Sequence, residues 1–75
     1  GTDYKSAPAG ENIWIEGGYY SDFRLINLNG AVILKGALSK GLNSIETPTI
    51  DGVYVLEVQT NKNTIREKVI VRHTH

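Results

Sequence analysis

Two stretches near the end of the chain, GVYVLEVQT at 52–60 and TIREKVIVR at 64–72, set apolar side chains at every second position. A helix would need a repeat near 3.6, so this pattern commits both stretches to extended strands with one wet and one dry face. Tyr54, Leu56 and Val58 share one face of the first; Ile65, Val69 and Val71 share one face of the second. The rest of the chain is punctuated by Gly, Asn, Asp, Ser and Pro at intervals of about eight to twelve residues, and no segment reads as a helix. The predicted strands are Asn12–Glu16, Asp22–Leu28, Ala31–Ala37, Asn43–Glu46, Val53–Thr60 and Ile65–Arg72, with a short edge strand near Asp3–Lys5. Six or seven short strands within 75 residues predict an all-β fold, a small Ig-like antiparallel β-sandwich. Residues 1–11 read as a lead-in or linker containing the edge strand, 12–72 as the sandwich and 73–75 as a tail.

The turns let pairing be argued. Asn29-Gly30 between FRLINL and AVILKG supplies the two φ > 0 residues of a type I′ turn. Such a turn would set Leu28 opposite Ala31, Asn27 opposite Val32, Ile26 opposite Ile33 and Leu25 opposite Leu34. Apolar groups then stand on both faces of the ribbon: one face fills the core, and the other is covered by a loop or the lead-in, or meets a partner. At the second hairpin a four-residue loop, Asn61–Thr64, is expected to place Leu56 opposite Val69, Tyr54 opposite Val71 and Glu57 opposite Lys68. A three-residue loop would oppose a core face to a solvent face.

Composition excludes several kinds of function. With no cysteine there is neither a disulfide framework nor a thiolate metal site. Eight basic and eight acidic residues cancel and are scattered along the sequence, which counts against a nucleic-acid partner or an anionic membrane surface. No apolar run approaches the roughly 20 residues of a membrane-spanning helix. The amino-terminal stretch lacks the basic and apolar regions of a signal peptide, so an export signal would belong to sequence upstream of Gly1. A chain this short buries only about 60% of the surface its unfolded form exposes, which leaves little stability for strained or unpaired catalytic groups.

Residues that commonly carry chemistry are few. His73 and His75 fall in the terminal tail, where fraying opposes a preorganised site. Asp51 before Gly52 reads as turn chemistry. Glu16 and Asp22 flank the Gly17-Gly18 turn without the alternating carboxylates of a calcium loop. Catalytic, metal and cofactor sites are therefore expected to be absent. Tyr19, Tyr20 and Phe23 beside Gly17-Gly18 could pack in the core or form an aromatic patch for carbohydrate or protein, the alternative function of an accessory module. Trp14, between Ile13 and Ile15, is expected to anchor the core.

The order FRLINLNG, AVIL, the polar bend KGLNSIET, IDGVYVLEV and the terminal KVIVR resembles the C-terminal sorting domain of the type IX (Por) secretion system. That family's pattern is an apolar strand, LxG, an apolar strand, GxYxxxV and a Lys-led apolar strand. Gly30, Gly52, Tyr54, Lys68, Val69 and Ile70 match it; Ala7-Pro8-Ala9 stands where many members carry an Asn-Pro pair. The resemblance implies a non-catalytic domain that directs an attached upstream cargo through the periplasm to the outside or the cell surface. Its partners would be the secretion machinery and surface-attachment proteins, with no nucleic acid and no membrane insertion. The residues expected to carry recognition are Gly52, Tyr54, Val55, Lys68, Ile70 and Arg72, on exposed strand edges of the final hairpin open to β-augmentation. Gly52 is expected either to need φ > 0 or to let backbone pass closely. A passive Ig-like spacer of a surface enzyme is the remaining alternative.

Overall fold

The computed structural model describes residues 4–8, 11–18 and 20–72. It has seven strands and no helix among them: β1 (Tyr4–Pro8), β2 (Asn12–Gly17), β3 (Ser21–Asn27), β4 (Val32–Leu38), β5 (Gly41–Glu46), β6 (Gly52–Gln59) and β7 (Thr64–Arg72). Five form one sheet in the order β1-β7-β6-β3-β4, and β2 and β5 form a second. All pairs are antiparallel except β1 with β7, which run parallel. The domain is thus the all-β sandwich that the alternation demands, with the lead-in strand recruited to flank the last one.

The core lies between the sheets. Ile13, Ile15 and Ile45 from the small sheet meet Phe23, Leu25, Leu38, Tyr54, Leu56, Val69 and Val71 from the large one, and Leu25 and Val69 are completely covered. Period two decides who enters. On β2 only one parity can face inward, and the two β-branched neighbours Ile13 and Ile15 take it. Trp14 is therefore turned out and 56% exposed, which corrects its expected role as core anchor. It lines a groove together with Leu56, Val58 and Ile65.

Both hairpins differ from expectation for identifiable reasons. At the first, Gly30 N–H donates to Asn27 O (3.0 Å) and Asn27 N–H to Ala31 O (2.9 Å), which closes a three-residue loop instead of a type I′ turn. Gly30 has φ +89°, and the register shifts between Leu25 and Ile26, so that Leu25 faces Leu34 as expected but Ile26 faces Val32. The Asn27 side chain selects this loop, since its Oδ1 accepts from both Asn29 N–H and Ala31 N–H at 3.0 Å. A turn followed by a left-handed Gly bulge is the common three-residue alternative.

At the second hairpin the closing pair is Thr60 and Asn63, with Thr60 N–H donating to Asn63 O (2.8 Å). Thr60 Oγ1 accepts from the Lys62 and Asn63 amides, tightening the turn. Thr64 consequently joins the strand opposite Gln59, and Tyr54 faces Val69, Leu56 faces Glu67 and Glu57 faces Arg66. The expected Leu56–Val69, Tyr54–Val71 and Glu57–Lys68 pairs are wrong by two residues. A slip of two preserves every face, so hydrophobic matching cannot detect it; only the turn chemistry can.

Candidate functional site

The large sheet turns one face to the core and the other outward, and pairing assigns the outward side chains. Arg24 on β3 stands between Lys35 on β4 and Glu57 on β6, and Glu57 is opposite Arg66 on β7. The next row runs Val32, Ile26, Val55 and Lys68. Beyond it Val53 is opposite Ile70, and Arg72 shares their face two residues further along β7. Ile26, Val53, Val55 and Ile70 are half-buried, and Lys35, Lys68 and Arg72 are exposed. The result is a short apolar strip edged by basic side chains.

Glu57 organises the middle of this face. Its Oε1 accepts from Arg24 Nε (2.9 Å) and Nη2 (2.6 Å), and its Oε2 accepts from Arg66 Nε (2.8 Å). Hydrogen bonds from Arg24 and then Arg66 hold its carboxyl below the usual range against the opposing effect of burial. A carboxylate shared by guanidinium groups from two neighbouring strands locks β3, β6 and β7 in register. Among the described residues, five cations, Arg24, Lys35, Arg66, Lys68 and Arg72, thus share the face with two carboxylates, Glu57 and Asp22. The outward positions of β2 and β5 themselves carry Glu16 and Glu46 beside Trp14 and Leu42. Charges that lie apart along the sequence are thus brought together on this face.

Of the residues expected to carry recognition, Val55, Lys68, Ile70 and Arg72 come together on this face. Tyr54 does not: it is buried, and its hydroxyl donates to Ile50 O (2.7 Å), a tie from strand to preceding loop like that of a tyrosine corner. Gly52 begins β6 opposite Val71. It lacks a positive φ, and a Cβ there would meet the Tyr54 ring at an ordinary 3.6 Å, so neither expected reason for a glycine applies. The final strand is also not a free edge along its whole length, because β1 pairs with Lys68–Arg72 on the side away from β6. Strand addition along Lys68–Arg72 would have to displace β1.

The aromatic patch does not assemble. Phe23 is in the core, Tyr20 is 89% exposed in a turn with φ 57°, and Tyr19 lies outside the described residues. Glu16 and Asp22 point away from each other, on the outer faces of opposite sheets. No group of three or more metal-ligating side chains occurs among the described residues; His73 and His75 lie outside them. The sequence reading missed Arg24, Ile26, Val53 and Arg66. The polar-apolar alternation of SDFRLIN already marks Arg24 and Ile26 as outward on β3, but their neighbours are known only from the strand order.

The sequence profile of the family described as secretion system C-terminal sorting domain matches residues 7–72, nearly the whole chain. The chain belongs to that family. No curated protein and no solved structure matches it. The sorting domain is a signal for type IX secretion, read by the secretion machinery and serving an attached cargo of a secreted or cell-surface protein. The family is a sorting family, not a catalytic one.

Proposed function

We propose that this sorting domain directs an upstream cargo in the same chain from the periplasm to surface attachment, and that the secretion machinery contacts the outward face of the five-stranded sheet. The observation that carries the reading is the gathering of Val55, Lys68, Ile70 and Arg72, all from the last two strands, on one exposed face with Ile26 and Val53. An apolar strip ringed by cations offers a partner both contact area and orientation. Nothing in this role requires a catalytic group.

The test is a reporter with an export signal fused ahead of residues 1–75 in a host with the type IX machinery. The wild-type fusion should reach the surface. Lys68→Glu with Arg72→Glu should stay folded, since exposed charges contribute at most about 1 kcal/mol, yet hold the reporter in the periplasm. Glu16→Lys with Glu46→Lys, on the opposite side of the sandwich, should be exported normally. Normal export of the Lys68/Arg72 variant, or a loss common to both variants, would overturn the assignment of the face.

A further inference from the structure

The large sheet leaves the β4 edge open and apolar. β4 pairs only with β3, and its Val32, Ile33 and Leu34 are 43%, 42% and 37% exposed; Leu28 in the adjoining turn is 72% exposed. Folded proteins blunt such edges with charges, proline, bulges or short length. The other edge of this sheet, β1, ends in Pro8, and the small sheet's strands present Glu16 and Glu46. β4 runs for seven residues with one charge, Lys35, no more than β2 or β5 carries, and its pairing with β3 shifts at Ile33, so its apolar exposure is what sets it apart.

Lys35 also indicates what would fit there. It sits directly opposite Arg24, a like-charge juxtaposition that disfavours pairing, and Arg24 is turned away to Glu57. Among the described residues Lys35 itself has no ion pair. The row Lys35, Arg24, Glu57, Arg66 thus ends at the edge in a cation that lacks an acidic neighbour on its open side.

We propose that β4 is a docking edge for an extended segment of a partner protein, a strand of β-branched residues with a carboxylate opposite Lys35. Such a segment would extend the five-stranded sheet by main-chain hydrogen bonds, cover Val32, Ile33 and Leu34, and complete the charge row. A second copy of this chain fits less well. In an antiparallel β4–β4 pair that superposes the apolar triplets, with Ile33 opposite Ile33, Lys35 faces Ala31 and gains no acid. The docking edge adjoins the outward face described above and shares Val32 and Lys35 with it, whereas the sorting contacts of β6 and β7 lie on other strands.

The probe is a blocked octapeptide alternating Thr and Val around a central Glu, with a counterpart carrying Lys at that place, titrated into the isotopically labelled 75-residue chain. Amide shifts and slowed hydrogen exchange should develop at residues 32–38, saturate, and spare residues 64–72. The Glu peptide should bind roughly two- to fivefold more tightly than the Lys peptide, the range expected of one cross-strand charge pair. Lys35→Glu should reverse that preference, and Ile33→Lys, at an exposed position, should abolish binding while leaving the remaining spectrum unchanged. Four results would overturn the proposal: no saturable shift, shifts confined to other strands, equal binding of the two peptides, or concentration-dependent shifts at 32–38 without peptide, which would give the edge to a second copy.

Discussion

Deleting two methyl groups from one end of β7 should cost this domain more than deleting three carbons from the other. Val69 and Ile65 lie on the same strand and the same side of the large sheet, but Val69 is completely covered and Ile65 is 54% exposed. Val69→Ala removes two methyl groups at about 0.8 kcal/mol each and leaves a cavity that raises the total to roughly 2.5 kcal/mol. Ile65→Ala removes three carbons, but less than half of that surface is out of water and no enclosed cavity forms, so about 1 kcal/mol is expected. At about 0.05–0.15 kcal/mol per residue the whole domain has roughly 4–11 kcal/mol, so both variants should remain folded. Urea denaturation followed by circular dichroism reads the difference directly. With a slope near 1 kcal/mol per molar, the midpoint should fall by about 2.5 M for Val69→Ala and about 1 M for Ile65→Ala, with the slope unchanged. An Ile65→Ala midpoint that falls as far as that of Val69→Ala would mean that the small sheet covers the wrong end of β7, and the placement of the core would be refuted.

Three further outcomes follow from the same geometry. The carboxyl of Glu57 is held below its ordinary value, so its stabilising effect is present above that value and lost as pH falls through the lowered one; an acid titration of Glu57→Gln should lack this part of the pH dependence seen in wild type. Gly30, at φ +89°, should lose about 1–2 kcal/mol on replacement by Val, whereas Gly52→Ala should stay within about 0.5 kcal/mol, as thermal unfolding of the two variants would show. Trp14 is the sole tryptophan and stands outside the core, so its fluorescence should be readily quenched by acrylamide in the native state, and native-state protection equal to that of a buried indole would contradict its placement.

The fold class was legible because alternation constrains faces, and faces survive most errors of detail. The seven strands fall within a few residues of expectation, and Leu25, Tyr54, Leu56, Val69 and Val71 sit inside as the period demands. Register was not legible where a side chain and not a dipeptide made the turn. Asn27 converts the Asn29-Gly30 signal into a bulged loop, and Thr60 draws the second hairpin in by two residues. At Trp14 parity overrides size: an indole between two isoleucines must take the face they leave. Of the recognition residues expected on β6 and β7, Gly52, Tyr54, Lys68 and Ile70 rest on the family resemblance and Val55 and Arg72 on strand parity; Tyr54 and Gly52 belong to packing, while Arg24 and Ile26 arrive from a strand some thirty positions away, which no local pattern announces.

The same strand order bears on how a sorting signal can be carried by so small a domain. Residues 66–72 include most of the matching terminal motif, but β7 presents its outward side chains only because β1 flanks it on one side and β6 on the other. Glu57 reaches Arg66 and Arg24 only when β3, β6 and β7 are all in register. In an unfolded chain the apolar strip of Ile26, Val53, Val55 and Ile70 does not exist as a surface, and the cations around it are dispersed. A receptor that reads this face therefore reads folding at the same time. A peptide of residues 64–75 alone should then compete poorly for export with the folded domain, whatever its sequence match. If that peptide blocked export of a wild-type fusion as well as the intact domain did, the signal would be linear and the sheet face would be incidental to it.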